Sequence, residues 1–433
     1  MIAIALRNLK HRPGGFVATF VSAFLGAALL MAFASLLDTG DSESLTSTAT
    51  IGGGWCLVIV AFAVTSTLSL SVRQRADQVG LLRSAGATGP QLRRMIVGEA
   101  AAVALIASAA AVPAGFALGR VLVGLLQNTG QVPSSTEAAF GPIALGTGFG
   151  VTVAGAVLAA FATARRTAGN AGAKPERPRL RRIAAVVFLL AGANCSVLTA
   201  TVMDGKGVDA MQTAGQAGIW AAIGLALLSP ELLRLVTAVI GPPVRSFGGV
   251  AGELAVTGVH SRARQLAGAV MPVLIFTGIA TGTVYMQGIE DRAAEGQIQP
   301  AYAQDIQTLN YVVVGMIALF VAVMLVNTLI AATTCRRREF AQHRLAGATR
   351  GQVLAMVSLE VVLVTVTGVL GGSLAALFTI VPFGSARADR LWPDAEPWQY
   401  GVIVALAVLL TAAATVQTTR RALRGPATAA VRA

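Results

Sequence analysis

Charge is scarce in this 433-residue sequence: Asp, Glu, Lys and Arg supply only 12% of it, about half of what a soluble domain carries. With hydrophobic residues at 55% and a mean hydropathy of +0.70, that deficit excludes an ordinary soluble fold. Cysteine is nearly absent. Cys56 and Cys195 sit in apolar runs and Cys335 beside an arginine cluster, so neither a disulfide framework nor metal-ligand spacing is present, and all three read as small apolar residues. His11, His260 and His343 belong to no His/Glu metal motif, and no Ser/His/Asp set can be assembled. There is no G-x-x-x-x-G-K-[ST], hence no phosphate-cradling loop. Any energy source must lie in another chain.

Long apolar runs take the place of what is missing. Ten are long enough for a bilayer span: 16–37, 51–72, 95–118, 143–164, 183–203, 215–235, 266–288, 309–333, 353–378 and 400–419. In lipid the backbone must bond to itself, and continuous rather than alternating apolar runs select helices over a barrel. The fold class expected is therefore an all-α membrane protein with ten transmembrane helices. The first run follows Arg7, Lys10 and Arg12 in the manner of a signal peptide, but its length suits a retained span.

Net charge is +13, which could suggest nucleic acid, yet the placement of the charges points to a membrane. With the N-terminus inside, 28 of the 33 Lys and Arg fall in cytoplasmic segments, and 13 of the 20 acids fall outside. That asymmetry is the positive-inside rule, and it orients the chain with both termini cytoplasmic. The basic loops then face anionic lipid and a cytoplasmic partner, with no call for nucleic acid. Outer loops are short, each of roughly 25 residues or fewer, the one at about 289–308 included, which leaves no room for a sizeable extracellular domain. The linker 167–182 is polar, basic and proline-containing. The expected organisation is a four-helix unit over 1–166, the linker, a two-helix insert over 183–245 and a second four-helix unit over 250–433.

Two segments match at an offset of 261 residues: LLRSAGATGPQLRRMIVGEAAAVAL at 81–105 and QHRLAGATRGQVLAMVSLEVVLVTV at 342–366. Arg83, Gly86, Ala87, Thr88, Gln91 and Glu99 fall on Arg344, Gly347, Ala348, Thr349, Gln352 and Glu360. The small pair Ala107/Ala111 falls on Gly368/Gly372, which suits close helix contact. More weakly, ALRNLKHR at 5–12 matches AVTGVHSR at 255–262, and both look like amphipathic segments lying on the inner membrane surface. Both units have the same orientation, so their symmetry axis runs along the membrane normal. Gly86 and Gly89-Pro90 provide a turn between spans two and three, and Arg83, Gln91, Arg93 and Arg94 give a short helix there a polar, basic face.

Glu99 and Glu360 stand one to two turns inside the cytoplasmic ends of spans three and nine. An ionisable residue there is a functional candidate: an ion pair orienting the elbow, with proton relay or a snorkelling carboxylate as alternatives. Arg120, near the outer end of span three, has Val381 as its counterpart. It could meet an anionic head group or substrate, or simply snorkel to the interface.

On LLRSAGATGPQL with Glu99 and HRLAGATRGQV with Glu360, the chain resembles the FtsX/MacB-like, type VII ABC transporter permeases. Its ten-span plan is similar to the bacitracin-exporter subgroup, without that subgroup's large extracellular domain. The resemblance implies a non-catalytic permease in a bacterial plasma membrane. Arg83, Gly86, Ala87, Thr88 and Gln91, and Arg344, Gly347, Ala348, Thr349 and Gln352, would form coupling helices that dock on two copies of a P-loop ATPase. ATP and Mg would be bound by that partner, with no cofactor in this chain. The substrate class implied is an amphiphile: a lipophilic antibiotic, an antimicrobial peptide or a lipid. Two other readings are an ion-coupled secondary transporter, which would want mid-span acids that the sequence lacks, and a membrane regulator of cell-wall hydrolysis, which would want an extracellular domain.

Overall fold

The computed structural model describes residues 17–64, 80–168, 178–203, 208–294, 336–388 and 397–425, apart from single positions among them, together with scattered residues between 315 and 334. Arg83, the segment 5–12, most of the expected spans 51–72 and 309–333, and much of the linker 167–182 lie outside the described residues. All regular structure among the described residues is helical. Among the described residues the longer helices are α1 (Val17–Thr39), α2 (Gly89–Asn128), α3 (Pro142–Ala168), α4 (Pro178–Val202), α5 (Val208–Leu227), α6 (Ser229–Ala294), α7 (Arg337–Leu345), α8 (Arg350–Ala388) and α9 (Pro397–Leu423). Seven of the described helices are long and apolar enough to cross a membrane. They fall into two compact units, one of Met1–Lys174 with Ile298–Phe320, the other of Pro175–Gln297 with Val321–Ala433.

In the first unit α1, α2 and α3 pack on one another around Ala27, Ala28, Met31 and Ala111. Small residues bring the helices close. A Cβ on Gly115 would lie 2.8 Å from Met31 Cβ and 3.2 Å from the Ala28 carbonyl. Such contacts suit helices that gain little from hydrophobic exclusion inside a bilayer and associate by close van der Waals packing. Asp38, at the end of α1, accepts hydrogen bonds from the backbone N–H groups of Gly141 (3.0 Å), Ile143 (3.1 Å) and Ala144 (2.7 Å). A carboxylate from a distant helix thus satisfies the unpaired donors that open α3 and sits at the positive end of its dipole.

The second unit is built on α6 and α8. Helix α6 bends twice, at Gly249 (φ 52°, ψ −135°) and at Arg262 (φ −117°, ψ 19°), giving sections 229–248, 250–261 and 263–294. The section 263–294 meets α8 through glycines. A Cβ on Gly372 would lie 2.6 Å from the Leu274 carbonyl and 2.8 Å from the Gly278 nitrogen, and one on Gly368 would strike Val273. Helices α4 and α5 pack on each other, with Gly192 against the Ala217 carbonyl and Gly224 against Leu189. Both also pack on α8: the Ser196 hydroxyl donates to the Phe378 carbonyl at 2.7 Å, and Gly218 meets Thr379. Arg181 on α4 pairs with Glu231 on α6 at 2.6 Å. At the far end of α8, Arg387 grips Glu290 of α6 with two hydrogen bonds of 2.8 Å.

Span boundaries differ from the hydropathy reading in one instructive place. The run 215–235 is not one helix: α5 stops at Leu227 and α6 starts at Ser229. Ser229-Pro230-Glu231 is a helix-start signature, in which proline has no N–H to donate to the preceding turn and a carboxylate sits in the first turn. Apolarity runs through this junction unbroken, so a hydropathy window passes over it.

Candidate functional site: two glycine elbows

Each unit contains a helix stop followed at once by a helix start. In the first, the N–H of Ala87 donates to the Leu82 carbonyl at 2.9 Å across Gly86, whose φ is +92°. In the second, the N–H of Ala348 donates to the His343 carbonyl at 3.0 Å across Gly347, whose φ is +99°. That bond, spanning a left-handed glycine, is the Schellman stop. Positive φ is open to glycine and costs other residues about 1–2 kcal/mol, so the motif's central residue is fixed by backbone geometry.

The start is equally regular. The N–H of Thr88 donates to Gln91 Oε1 at 3.0 Å, and the N–H of Thr349 donates to Gln352 Oε1 at 2.9 Å. In the second elbow Gln352 N–H returns the bond to Thr349 Oγ1 at 3.2 Å. Threonine at the cap and glutamine three residues on form a capping box. The spacing G-A-T-x-x-Q therefore writes a stop, a one-residue link and a capped restart. Gly86, Thr88 and Gln91, with Gly347, Thr349 and Gln352, build the bend itself. Ala87 and Ala348 are the half-buried links between stop and start.

Beyond the bend the two elbows bury the same positions. From Gln91 to Glu99 and from Gln352 to Glu360 the order of exposed, half-buried and buried residues is identical. Leu92, Met95 and Ile96 pack on Ala159, Ala160 and Ala164 of α3. Val353, Met356 and Val357 pack on Phe340, Ala255 and Leu423. The outer faces stay exposed: Ser84, Gly86, Thr88, Gln91 and Arg94 in one, Leu345, Gly347, Thr349, Arg350 and Gln352 in the other. Each elbow thus presents a short, mostly polar ridge with an exposed arginine, Arg94 or Arg350, on a fixed base. Arg93 is turned inward, stacked 5.0 Å over the Phe161 ring.

Arg344 faces the fold rather than the ridge. Its Nη1 donates to the carbonyls of Leu423 (3.3 Å) and Gly425 (2.8 Å), where α9 ends. A cation at these carbonyls satisfies orphan acceptors and complements the helix dipole. Glu360 is buried and faces two arginines: Oε1 lies 3.3 Å from Arg262 Nη2, and Oε2 lies 2.6 Å from Arg336 Nη1. The second contact is close but misaligned for a hydrogen bond, so it acts by charge. Glu339, in the first turn of α7, pairs with the same two arginines, at 3.1 Å with Arg336 Nη2 and also with Arg262. Glu99 occupies the matching place in α2 and is likewise buried.

The repeat marks Glu360 in the sequence but not Arg262, Arg336 or Glu339. The i,i+3 spacing of Arg336 and Glu339 was the available signal for one pair. Nothing local marks Arg262, which lies about a hundred residues away in the chain. Arg120 is apart from all of this: it is exposed on α2, its guanidinium 5.6 Å over Phe116, which meets Phe140 edge-on.

Comparison with known families gives a match that covers both elbows. The model of the FtsX-like permease C-terminal domain fits residues 50–170 and again 311–427, together more than half of the chain. Each matched stretch contains one elbow. No curated protein matches the chain.

Proposed function

The chain belongs to the FtsX-like permease family, and on that footing we propose that it is the membrane subunit of an ABC transporter whose ATPase is a separate polypeptide. The observation that carries this reading is the elbow built twice, to the same backbone and burial plan, inside the two stretches that match the family. A motor made of two like subunits requires two like handles. Ten spans with both termini in the cytoplasm place both elbows on the motor's side of the membrane, which the distribution of Lys and Arg supports.

In this reading the ATPase subunits bind ATP and Mg, and their closure moves both ridges as rigid bodies, rocking the helices attached to them. The permease performs no bond chemistry. Short outer loops and long lipid-facing helices favour an amphiphilic cargo, a lipophilic antibiotic, an antimicrobial peptide or a lipid, expelled or extracted from the bilayer. The test is co-expression with the P-loop ATPase encoded nearest to this gene. The expected result is a detergent-stable complex with two ATPase chains per permease, counted by native mass spectrometry. A permease that purifies alone in every such pairing, and drives uptake with a proton gradient, would replace this reading.

A further inference from the structure

Helix α7 has only nine residues, too few to be stable alone in water. Three of its side chains tie it to three different helices. Phe340 is buried against Ala255 of α6, Met356 and Val357 of α8 and Leu423 of α9. Arg344 holds the carbonyls that end α9. Glu339 reaches Arg262, at the second bend of α6, and Arg336, the residue that precedes α7. Both arginines in turn face Glu360 of α8. The four charges form a closed square of alternating sign: Arg262, Glu339, Arg336, Glu360.

Arg262 carries a second role within the square. Its Nε donates to the Gly258 carbonyl at 3.3 Å, one turn back, at the point where the helical backbone is interrupted. The side chain that grips Glu360 thus also braces the bend. Glu360 is the buried member of the square and the other three are half-buried. Removing an arginine leaves the Glu360 carboxylate short of compensation in a buried place, which costs more than the intact pair contributes.

We infer that Arg262, Arg336, Glu339 and Glu360 form a positioning joint, which makes α7, the second bend of α6 and the elbow end of α8 one mechanical body. Displacement of the elbow is then passed to two membrane helices at once, while Arg344 carries it to the end of α9. The direction of that force rests on the proposed docking of an ATPase. The joint itself does not.

Hydrogen exchange separates the two. The full chain is placed in phosphatidylethanolamine/phosphatidylglycerol nanodiscs, without nucleotide or partner. Glu360→Gln and Arg262→Met are expected to speed exchange of the 337–345 amides about tenfold or more, whereas Arg262→Lys, which keeps the charge, stays within about threefold of the parent. Exchange in 89–100, in the other unit, is the internal control and stays constant. Equal protection of 337–345 in parent, Glu360→Gln and Arg262→Met overturns the joint. A second arm adds the ATPase partner trapped with MgADP and vanadate. The parent is expected to change exchange in both 337–345 and 258–270; Glu360→Gln is expected to confine the change to 337–345. A change in 258–270 that survives Glu360→Gln also overturns the joint. Failure of the ATPase to bind the parent counts against docking alone, since the partner-free arm still decides the joint.

Discussion

Leucine in place of Gly372 is expected to cost the second unit about 3 kcal/mol or more, and with it most of the folded protein. Where the glycine α-carbon stands, a Cβ would lie 2.6 Å from the carbonyl oxygen of Leu274, 2.8 Å from the nitrogen of Gly278 and 2.7 Å from Thr277 Cβ. Two of those three atoms are backbone. A flexible side chain could swing aside, but a helix backbone can yield only by moving the whole helix. The section 263–294 of α6 would have to retreat from α8, loosening Gly368 on Val273 and the contact of Gly278 with Gly372. Ordinary overpacking costs about 1–3 kcal/mol, and the rigid neighbours put this site at or above the top of that range. The measurement is thermal unfolding followed by size-exclusion chromatography in detergent, in which the monodisperse peak should collapse. Gly268→Ala is the control: nothing lies within 4 Å of its added Cβ, and alanine favours a helix interior over glycine, so stability should hold or rise slightly.

Converting Arg94 and Arg350 together to glutamate is expected to weaken ATPase association about a hundredfold or more while leaving the permease folded. Both side chains are exposed and border the elbow ridges. Surface substitutions away from special contacts change stability by only about 0.5 kcal/mol. Charge reversal across an interface instead juxtaposes like charges, which costs several kcal/mol. Each single reversal should weaken binding less than the pair. Binding is read by titrating the purified ATPase on nanodisc-held permease, and the melting temperature of each variant reports its fold. Arg344 is a poor choice for this purpose, because its reversal would strip the carbonyls of Leu423 and Gly425 of their donor and confuse docking with folding.

Apolar length located the membrane helices well where polar residues bracket them. It placed α1, α3, α4 and α9 to within a few residues at the apolar core. It shortened α2 and α8, which run on past charged residues such as Arg120 to about twice a single span, because a hydropathy window ends where charge begins and a helix does not. It fused α5 with the start of α6, where only Ser229-Pro230 marks the break.

The elbows were legible for a local reason: glycine, threonine and glutamine at fixed spacing encode a stop and a capped restart within ten residues. What those residues do for the bend also changes their standing. Gln91 and Gln352 are occupied in capping, and Arg344 in closing α9, so the outward ridge rests more on Arg94, part of the basic face that follows the first turn, and on Arg350, which has no arginine opposite it in the repeat. The charge square was illegible because its members come from α6, the approach to α7, α7 and α8. Only the fold brings Arg262 to Glu360.

The central claim is that both elbows face the same compartment, where one motor can reach them. It is tested by replacing Cys56, Cys195 and Cys335 with serine, then introducing Ser84→Cys or Leu345→Cys, two exposed positions at matching places in the elbows. Labelling with a membrane-impermeant maleimide is compared between intact cells and inside-out vesicles. Both cysteines are expected to label in inside-out vesicles, and neither in intact cells. Labelling of the two cysteines from opposite sides of the membrane would contradict it.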